Sequence, residues 1–298
     1  MNERVVAVTG ATGLQGGMVG RKLLSDGWKV RALTRDVNKP AAEDLAVLGA
    51  QIVPGDMENR SELEAAFQGA YGVFSVQNFW LPDVGYEGEI RQGKNVADAA
   101  KAAGVQHLVY SSVGDAHRGA GQKHFDSKWV VEQYIHTLGV PYTILRPVSF
   151  MENYNWSRAQ ILNGTYAGRG LRPEKGVQMI AVEDIAFFAA QAFAHPKDYL
   201  GRTIELAGDE LTEAQTAQVF SKVIGRPVTL TKPVPGTARR SEEEMAAMFN
   251  FFNGEGYDAD ILLLRKIHPE MLTLEQYLRK NGWENARPLP AQQSGART

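Results

Sequence analysis

The stretch Arg4–Asp36, RVVAVTGATGLQGGMVGRKLLSDGWKVRALTRD, decides the fold. Arg4 to Thr9 is a short apolar run rich in β-branched residues, the composition of a buried strand. Gly10, Gly13 and Gly16 follow, then a helical stretch from Gly17 to Asp26 and a second strand from Lys29 to Thr34. Strand, glycine turn, helix and strand in this order predict a dinucleotide pocket. Glycines let the backbone approach a pyrophosphate with no Cβ in the way, and the helix start presents N–H donors and a positive dipole end. Glycines at this spacing are common in ordinary turns; their place between a strand and a helix gives them weight.

Arg35 ends the second strand, where an NAD site usually carries an acidic residue for the ribose 2′-hydroxyl. An arginine there suits a 2′-phosphate instead, and Lys39 adds a second cation. The sequence therefore favours NADP(H). The competing readings are that Arg35 and Lys39 are solvated loop charges, and that Asp36, one residue later, serves the hydroxyl.

Outward from this segment, short apolar strands alternate with helices. Strands are expected at Gln51–Pro54, Gly72–Val76, His107–Ser111 and Tyr142–Leu145. Helices are expected at Pro40–Leu48, Ser61–Phe67, Gly85–Ala103 and Ser127–Leu138, with Ser61 and Glu64 spaced as a capping box. This is the pattern of an α/β chain with a Rossmann-type, doubly wound parallel sheet. After Pro147 an irregular, aromatic-rich stretch runs to about Gly176. Val182–Ala194 reads as a buried helix, Thr203–Leu206 as a strand, and Thr212 with Gln215 as a further helix start. The expected division is a dinucleotide-binding domain over residues 1–150, a smaller α/β lid region over 151–285 and a frayed tail over 286–298.

Composition narrows the functional classes. The 298 residues are 44% hydrophobic and 22% charged, with a net charge of −2, so no electrostatic footprint for nucleic acid exists. There is no cysteine, which excludes disulfides, thiol nucleophiles and thiolate metal sites, and no metal is expected. Neither a signal-peptide pattern nor an apolar run of membrane-spanning length is present. A cytoplasmic protein with no membrane partner is the expectation. Oligomeric state stays open, a homodimer being one candidate.

In doubly wound sheets ligands bind beyond the carboxyl ends of the strands. The residues expected there are Gly10 to Gly16, Arg35, Asp56 with Met57, Gln77 with Asn78 followed by Phe79 and Trp80, Ser111 with Ser112, and Arg146 to Asn153. Asp56 suits the adenine amino group and equally suits a turn cap. In HFDSKWVVEQY, His124 and Lys128 lie four apart and share a helix face. Lys128 suits the nicotinamide ribose or proton donation, against the plainer reading of a solvated helix lysine. For His124 an exposed loop position is the plainer identity.

These motifs together resemble the short-chain dehydrogenase/reductase superfamily and, within it, the atypical NmrA-like group. The carriers are GATGLQGG, TRDVNK, GDMEN, VQNFW, HFDSK, RPVSFMENY and the closing GYDADILLLRKIHPEMLTLEQYL, which span most of the chain. The resemblance implies that Gly10, Ala11, Thr12, Gly13, Leu14 and Gln15 hold pyrophosphate, and that Arg35 and Lys39 hold the 2′-phosphate. It places Asp56 and Met57 at the adenine, Gln77 and Asn78 at the central cofactor, and Lys128 and Phe150 to Asn153 beside the nicotinamide. Where the superfamily's Tyr-x-x-x-Lys carries the proton-donating tyrosine, this chain has His124, and the partner serine corresponds to Ser111 or Ser112. Two functions follow as expectations. One is an NADPH-dependent reductase of a quinone-like or conjugated acceptor under an aromatic lid (Phe79, Trp80, Phe150, Tyr154, Trp156), with Lys128→Ala costing turnover more than stability. The other is an NADP(H) redox sensor read by a regulatory protein partner.

Overall fold

The computed structural model describes residues 4–118, 121–233 and 242–288. In chain order the elements are β1 (Val5–Val8), α1 (Leu14–Ser25), β2 (Lys29–Thr34), α2 (Pro40–Val47), β3 (Gln51–Pro54), α3 (Arg60–Phe67), β4 (Gly72–Ser75), α4 (Gly85–Ala102), β5 (His107–Ser111), α5 (Lys123–Leu138), β6 (Tyr142–Pro147), β7 (Ser149–Phe150), α6 (Arg158–Leu162), β8 (Thr165–Ala167), β9 (Gly176–Ile180), α7 (Val182–Ala194), α8 (Pro196–Tyr199), β10 (Thr203–Leu206), β11 (Asp209–Thr212), α9 (Glu213–Ile224), β12 (Thr229–Thr231), α10 (Glu242–Asn253), α11 (Ile261–Ile267) and α12 (Leu274–Lys280). None of these helices is long and apolar enough to cross a membrane.

The chain divides into two compact units. The first comprises residues 1–147 and 182–206, the second 148–181 and 207–298. In the first, one sheet runs in the order β10-β6-β5-β4-β1-β2-β3, every pair parallel. Chain order reverses between β1 and β4, which creates the crevice at their carboxyl ends where such sheets bind ligands. The strands are short and the central ones are buried on both faces; Val6, Ala7, Val8, Val73 and Phe74 are all fully inaccessible. A core of Leu63, Phe67, Val96, Leu108, Tyr110, Val131, Ile135 and Ile144 fills one face.

The expected 1–150 and 151–285 division is redrawn by Val182–Leu206, which belongs with the first unit. Helix α7 is apolar nearly all round, and Ile185, Phe188, Ala189 and Phe193 are buried. It packs on α1, and β10 then pairs with β6 from Thr203↔Ile144 to Leu206↔Pro147, giving the sheet its seventh strand. At Gly72 on β4, an added Cβ would stand 2.5 Å from Phe193 Cε1 and 2.9 Å from the His107 carbonyl. The absent side chain lets α7 lie directly on the strand.

The second unit holds a three-stranded sheet, β11-β9-β7, and a parallel pair, β12-β8. Its core gathers Met151, Ile161, Phe220, Leu274, Tyr277, Leu278 and Trp283. The aromatic stretch after Pro147, expected to be irregular to about Gly176, contains β7, α6 and β8, and β9 begins at its end. These strands are two to five residues long, too short to register as alternation. The capping box at Thr212 and Gln215 is present, and a second occurs at Thr273 and Gln276. Three helix starts differ from expectation. Helix α1 starts at Leu14, Gly13 standing as its N-cap. Helix α3 is capped by Asn59, whose Oδ1 accepts the Glu62 N–H at 3.4 Å and the Ser61 hydroxyl at 2.8 Å, in place of the expected Ser61 box. Helix α5 starts at Lys123, which brings His124 into its first turn. Residues 289–298 of the expected tail lie outside the described residues.

Replacing Gly72 with alanine is expected to lower unfolding stability by about 1–3 kcal/mol through overpacking against Phe193 and the His107 carbonyl. Urea denaturation measures it; an unchanged midpoint would show that α7 does not press on the sheet.

Candidate cofactor and active site

The crevice between β1 and β4 is built from contacts that leave no room for larger residues. Gly10 has φ +59°, and a Cβ there would meet Val76 Cγ1 at 3.0 Å. At Gly16 a Cβ would stand 2.4 Å from the Gly10 carbonyl oxygen and 2.7 Å from that of Thr9. The turn between β1 and α1 is thus pressed onto the first helical residues. Thr9 Oγ1 accepts the Val76 N–H at 3.0 Å and donates to the Val76 carbonyl at 3.3 Å, tying the two strand ends together. No side chain caps α1, so its N-terminal amides carry no side-chain partner. Such a helix start receives an anion.

Around this cradle, the expected cofactor residues fall into different states. Arg35 and Lys39 are exposed, and among the described residues their side chains make no hydrogen bond or ion pair. Asp36 Oδ1 accepts the Asn38 N–H at 3.0 Å, so it closes a local turn. Asp56 does likewise, accepting the Glu58 N–H at 3.0 Å through Oδ1. Gln77 is 5% exposed; its Nε2 donates to Ser75 Oγ at 3.0 Å and approaches Met57 Sδ at 3.7 Å. Its buried Oε1 has no partner among the described residues. Asn78 Oδ1 accepts the Trp80 N–H. Phe150 and Asn153 belong to the second unit, where they line a cavity with Tyr154 and Tyr166.

A cradle that a Cβ would fill, an orphaned buried acceptor and an unengaged guanidinium at the end of β2 together fit a phosphorylated dinucleotide. Gly10 to Gln15 would hold the pyrophosphate, Arg35 and Lys39 an additional phosphate, and Gln77 a ligand donor.

The catalytic candidates are drawn into networks. Ser111 is fully buried, and its hydroxyl donates to Gln15 Oε1 at 2.5 Å, linking β5 to the glycine turn. The Ser112 hydroxyl donates to Glu132. Lys128 Nζ donates to Glu89 Oε1 at 2.8 Å, and the Ser127 hydroxyl to Glu89 Oε2 at 2.5 Å. Glu89 is wholly inaccessible, so Lys128 is the counter-ion of a buried carboxylate. That changes the expectation for Lys128→Ala: removing the ammonium strands a buried charge and costs stability as well. His124 is half-buried among aromatic rings, 5.8 Å from Phe79, 5.1 Å from Trp80 and 4.8 Å from Phe125 between centroids. The expected exposed loop histidine is therefore a ring in an aromatic cluster. Of the other expected lid aromatics, Tyr154 packs edge-on to Phe220 in the second unit and Trp156 is 75% exposed.

Glu89 is a site residue that sequence reasoning passed over. The signal was present: on α4 the buried stripe runs Glu89, Gln92, Val96, so a carboxylate sits where an amphipathic helix places apolar side chains. A second network flanks the crevice. Arg146 on β6 donates to Glu132 at 3.0 and 2.7 Å, to Glu205 Oε1 at 3.0 Å and meets His117 Nδ1 at 2.9 Å. Asp115, His117 and Glu205 bring ligand atoms within 4.8 Å of one another. The guanidinium already bonded to two of them makes this an arginine-centred cluster rather than a cation cradle.

A model of the NmrA-like family matches residues 2–279. The NmrA-like family domain-containing oxidoreductase malD of Malbranchea aurantiaca is 31% identical over 287 residues, covering 85% of this chain and 84% of that protein. Among solved structures, an NADPH-dependent quinone oxidoreductase from Escherichia coli, complexed with NADPH, is 25% identical with a TM-score of 0.79, covering 93% of this chain and 99% of that one. The negative transcriptional regulator NmrA, in complex with NADP, is 24% identical with a TM-score of 0.80, covering 95% and 99%. The latter likeness is one of fold.

Two measurements probe these networks. Lys128→Met is expected to lower stability by about 3 kcal/mol, and Glu89→Gln/Lys128→Met to recover most of it, because the double variant buries no charge. Additive losses in chemical denaturation would mean that the pair is not coupled. The second concerns pH. Burial pushes the Glu205 carboxyl up from 4.5 to about 7, reinforced by Asp115 and opposed by Arg146. Burial pushes the His107 imidazole down from 6.5 to about 4. Between pH 4.5 and 7 the folded chain holds a proton on Glu205 that the unfolded chain has lost, so this group's stabilisation fades as pH rises. Between pH 4 and 6.5 the unfolded chain holds a proton on His107 that the folded chain lacks, so stability there climbs with pH. The two slopes oppose. Glu205→Gln is expected to expose the His107 slope as a steeper gain in urea midpoint with pH; parallel wild-type and variant profiles would exclude Glu205 as the proton carrier.

Proposed function

We propose that this chain, which belongs to the NmrA-like family, binds NADP(H) in the β1/β4 crevice and reduces a quinone-like or conjugated acceptor. The observation that carries the cofactor reading is Arg35, a guanidinium at the end of β2 with no partner among the described residues, beside a glycine turn too tight for side chains. Strand register sets the two together: Val8 pairs with Ala32, which brings the start of the turn alongside the end of β2. An extra phosphate supplies the oxyanion that Arg35 lacks. The NADPH carried by the E. coli quinone oxidoreductase and the oxidoreductase name of the Malbranchea relative support the same reading.

The chemistry NADPH brings is hydride transfer. A quinone that accepts a hydride needs one further proton to become a hydroquinone, and the first product is a delocalised oxyanion. Lys128, fixed by Glu89, which Ser127 holds in turn, presents an ammonium that stabilises such an oxyanion or relays water's proton to it. Ser111 and Ser112 donate their hydroxyl hydrogens within the protein, which leaves them positioning roles. His124, in its aromatic setting, stands where the wider superfamily has its proton-donating tyrosine.

A second reading is a redox sensor. It is favoured by that same substitution together with the commitment of Lys128 to a buried carboxylate, since ketone reduction by a tyrosine relay is then unavailable. A sensor must bind or couple NADPH and NADP+ unequally, because equal coupling shifts no population.

Titration calorimetry and steady-state turnover test both. Arg35→Gln is expected to weaken NADPH about tenfold while leaving NADH nearly unaltered. Oxidation of NADPH by at least one member of a quinone, enone and dye panel is expected. Equal loss for both cofactors removes the 2′-phosphate role; a silent panel removes the reductase and leaves the sensor.

A further inference from the structure

The second unit contains a cavity of about 160 Å3. Phe150 and Met179 give it apolar wall; Asn153, Tyr154, Tyr166 and Arg169 give it polar groups. Arg169 is half-buried, with Cζ 4.9 Å over the Phe252 ring. Among the described residues its guanidinium makes no ion pair and no hydrogen bond. The nearby Glu213 is otherwise engaged: its carboxylate accepts the backbone N–H groups of Arg169 and, at 3.2 Å, of Leu171. Glu213 therefore holds the loop that carries Arg169 and leaves the guanidinium edge open.

Two phenols, Tyr154 and Tyr166, share the cavity lining with Arg169. Burial pushes the Tyr154 and Tyr166 phenols up, and the Arg169 charge pulls both the other way. Both phenols are neutral at physiological pH and are hydrogen-bonded to each other, Tyr154 also to Thr216, so they form a fixed polar wall. The two rings meet edge to face with centroids 6.0 Å apart, and each packs edge-on to Phe220. A cationic fork seated on an aromatic face, a polar wall of paired neutral phenols and an apolar wall make a receptor for one planar oxyanion on a ring. Size narrows the ligand further, since a cavity of about 150 Å3 accommodates benzene.

We propose that this cavity binds a single-ring aromatic or conjugated carboxylate, its oxyanion on Arg169 and its ring against Phe150 and Met179. Where the reductase reading above holds, the site narrows the acceptor to ring compounds that carry such an anionic group. The binding claim itself rests on the second unit alone.

The test uses the full chain, benzoate as probe and benzamide as its neutral near-isostere, with affinities from ligand-observed NMR titration. Wild type is expected to bind benzoate at least about tenfold more tightly than benzamide, Arg169→Lys to keep part of that preference and Arg169→Gln to lose it. The wild-type comparison needs no variant to fold. Equal affinities for the two probes, no benzoate binding, or a preference that survives in folded Arg169→Gln would each overturn the proposal. NADPH is titrated separately on the same sample. Cofactor binding without benzoate binding refutes this site and leaves the cofactor reading; benzoate binding without cofactor binding does the reverse.

Discussion

At Gly16 the backbone of the first helix passes so close to the preceding turn that one methyl group would lie 2.4 Å from a carbonyl oxygen. The crevice depends on that contact. It fixes where the turn can run, and the turn fixes where the free amides at the start of α1 point. Thr9 extends the constraint sideways, because its hydroxyl serves both backbone groups of Val76 across the gap where strand order reverses. The anion cradle is thus a consequence of packing: a backbone pressed this tightly has no side chains to offer, and its amides are what remain.

The polar interior follows a related rule. Glu89 and Glu132 are wholly buried, and an isolated buried carboxylate is prohibitive. Each is matched by a cation and a serine hydroxyl: Glu89 by Lys128 and Ser127, Glu132 by Arg146 and Ser112. The same device appears twice, once on each side of α5, and it locks the helix that carries His124 and Lys128 onto its neighbours. Lys128 is therefore a structural counter-ion, so the chemical role proposed for it can be separated only when Glu89 is neutralised with it.

The first half of the fold was legible because its signals are local. Val5–Val8, the three glycines, Lys29–Thr34 and Pro40 at the first turn of α2 lie within forty residues, and each is marked by its own composition. The position of Arg35 at the end of β2 was legible because it depends only on distance along the chain from the turn. The partners of Lys128 and Arg146 were not, since Glu89 lies 39 residues from Lys128 and Glu205 lies 59 from Arg146. Sequence spacing carries no information across a parallel crossover. The short strands after Pro147 were missed for a different reason: β7 has two residues, below any detectable alternation. The return of α7 and β10 to the first sheet was equally hidden, because an apolar helix and a β-branched strand announce burial without saying where.

Charge placement separates the groups that build the protein from those that await a ligand. Arg146 satisfies two carboxylates and faces His117, Arg91 is bidentate on Glu58, and Arg31 donates to backbone carbonyls. A guanidinium is weakly hydrated and geometrically demanding, so where protein oxygens are in reach it takes them. Arg35 and Arg169 have not done so, and their surroundings differ in kind. Arg35 stands in water at a strand end, where a phosphate can arrive with little desolvation. Arg169 lies over a ring beside two neutral phenols, where a hydrated phosphate would lose more solvent than one fork could return. A delocalised carboxylate on an aromatic ring has less hydration to shed and a face for the apolar wall. On the proposed reading the two arginines select different anions, and the difference lies in what surrounds each fork rather than in the fork.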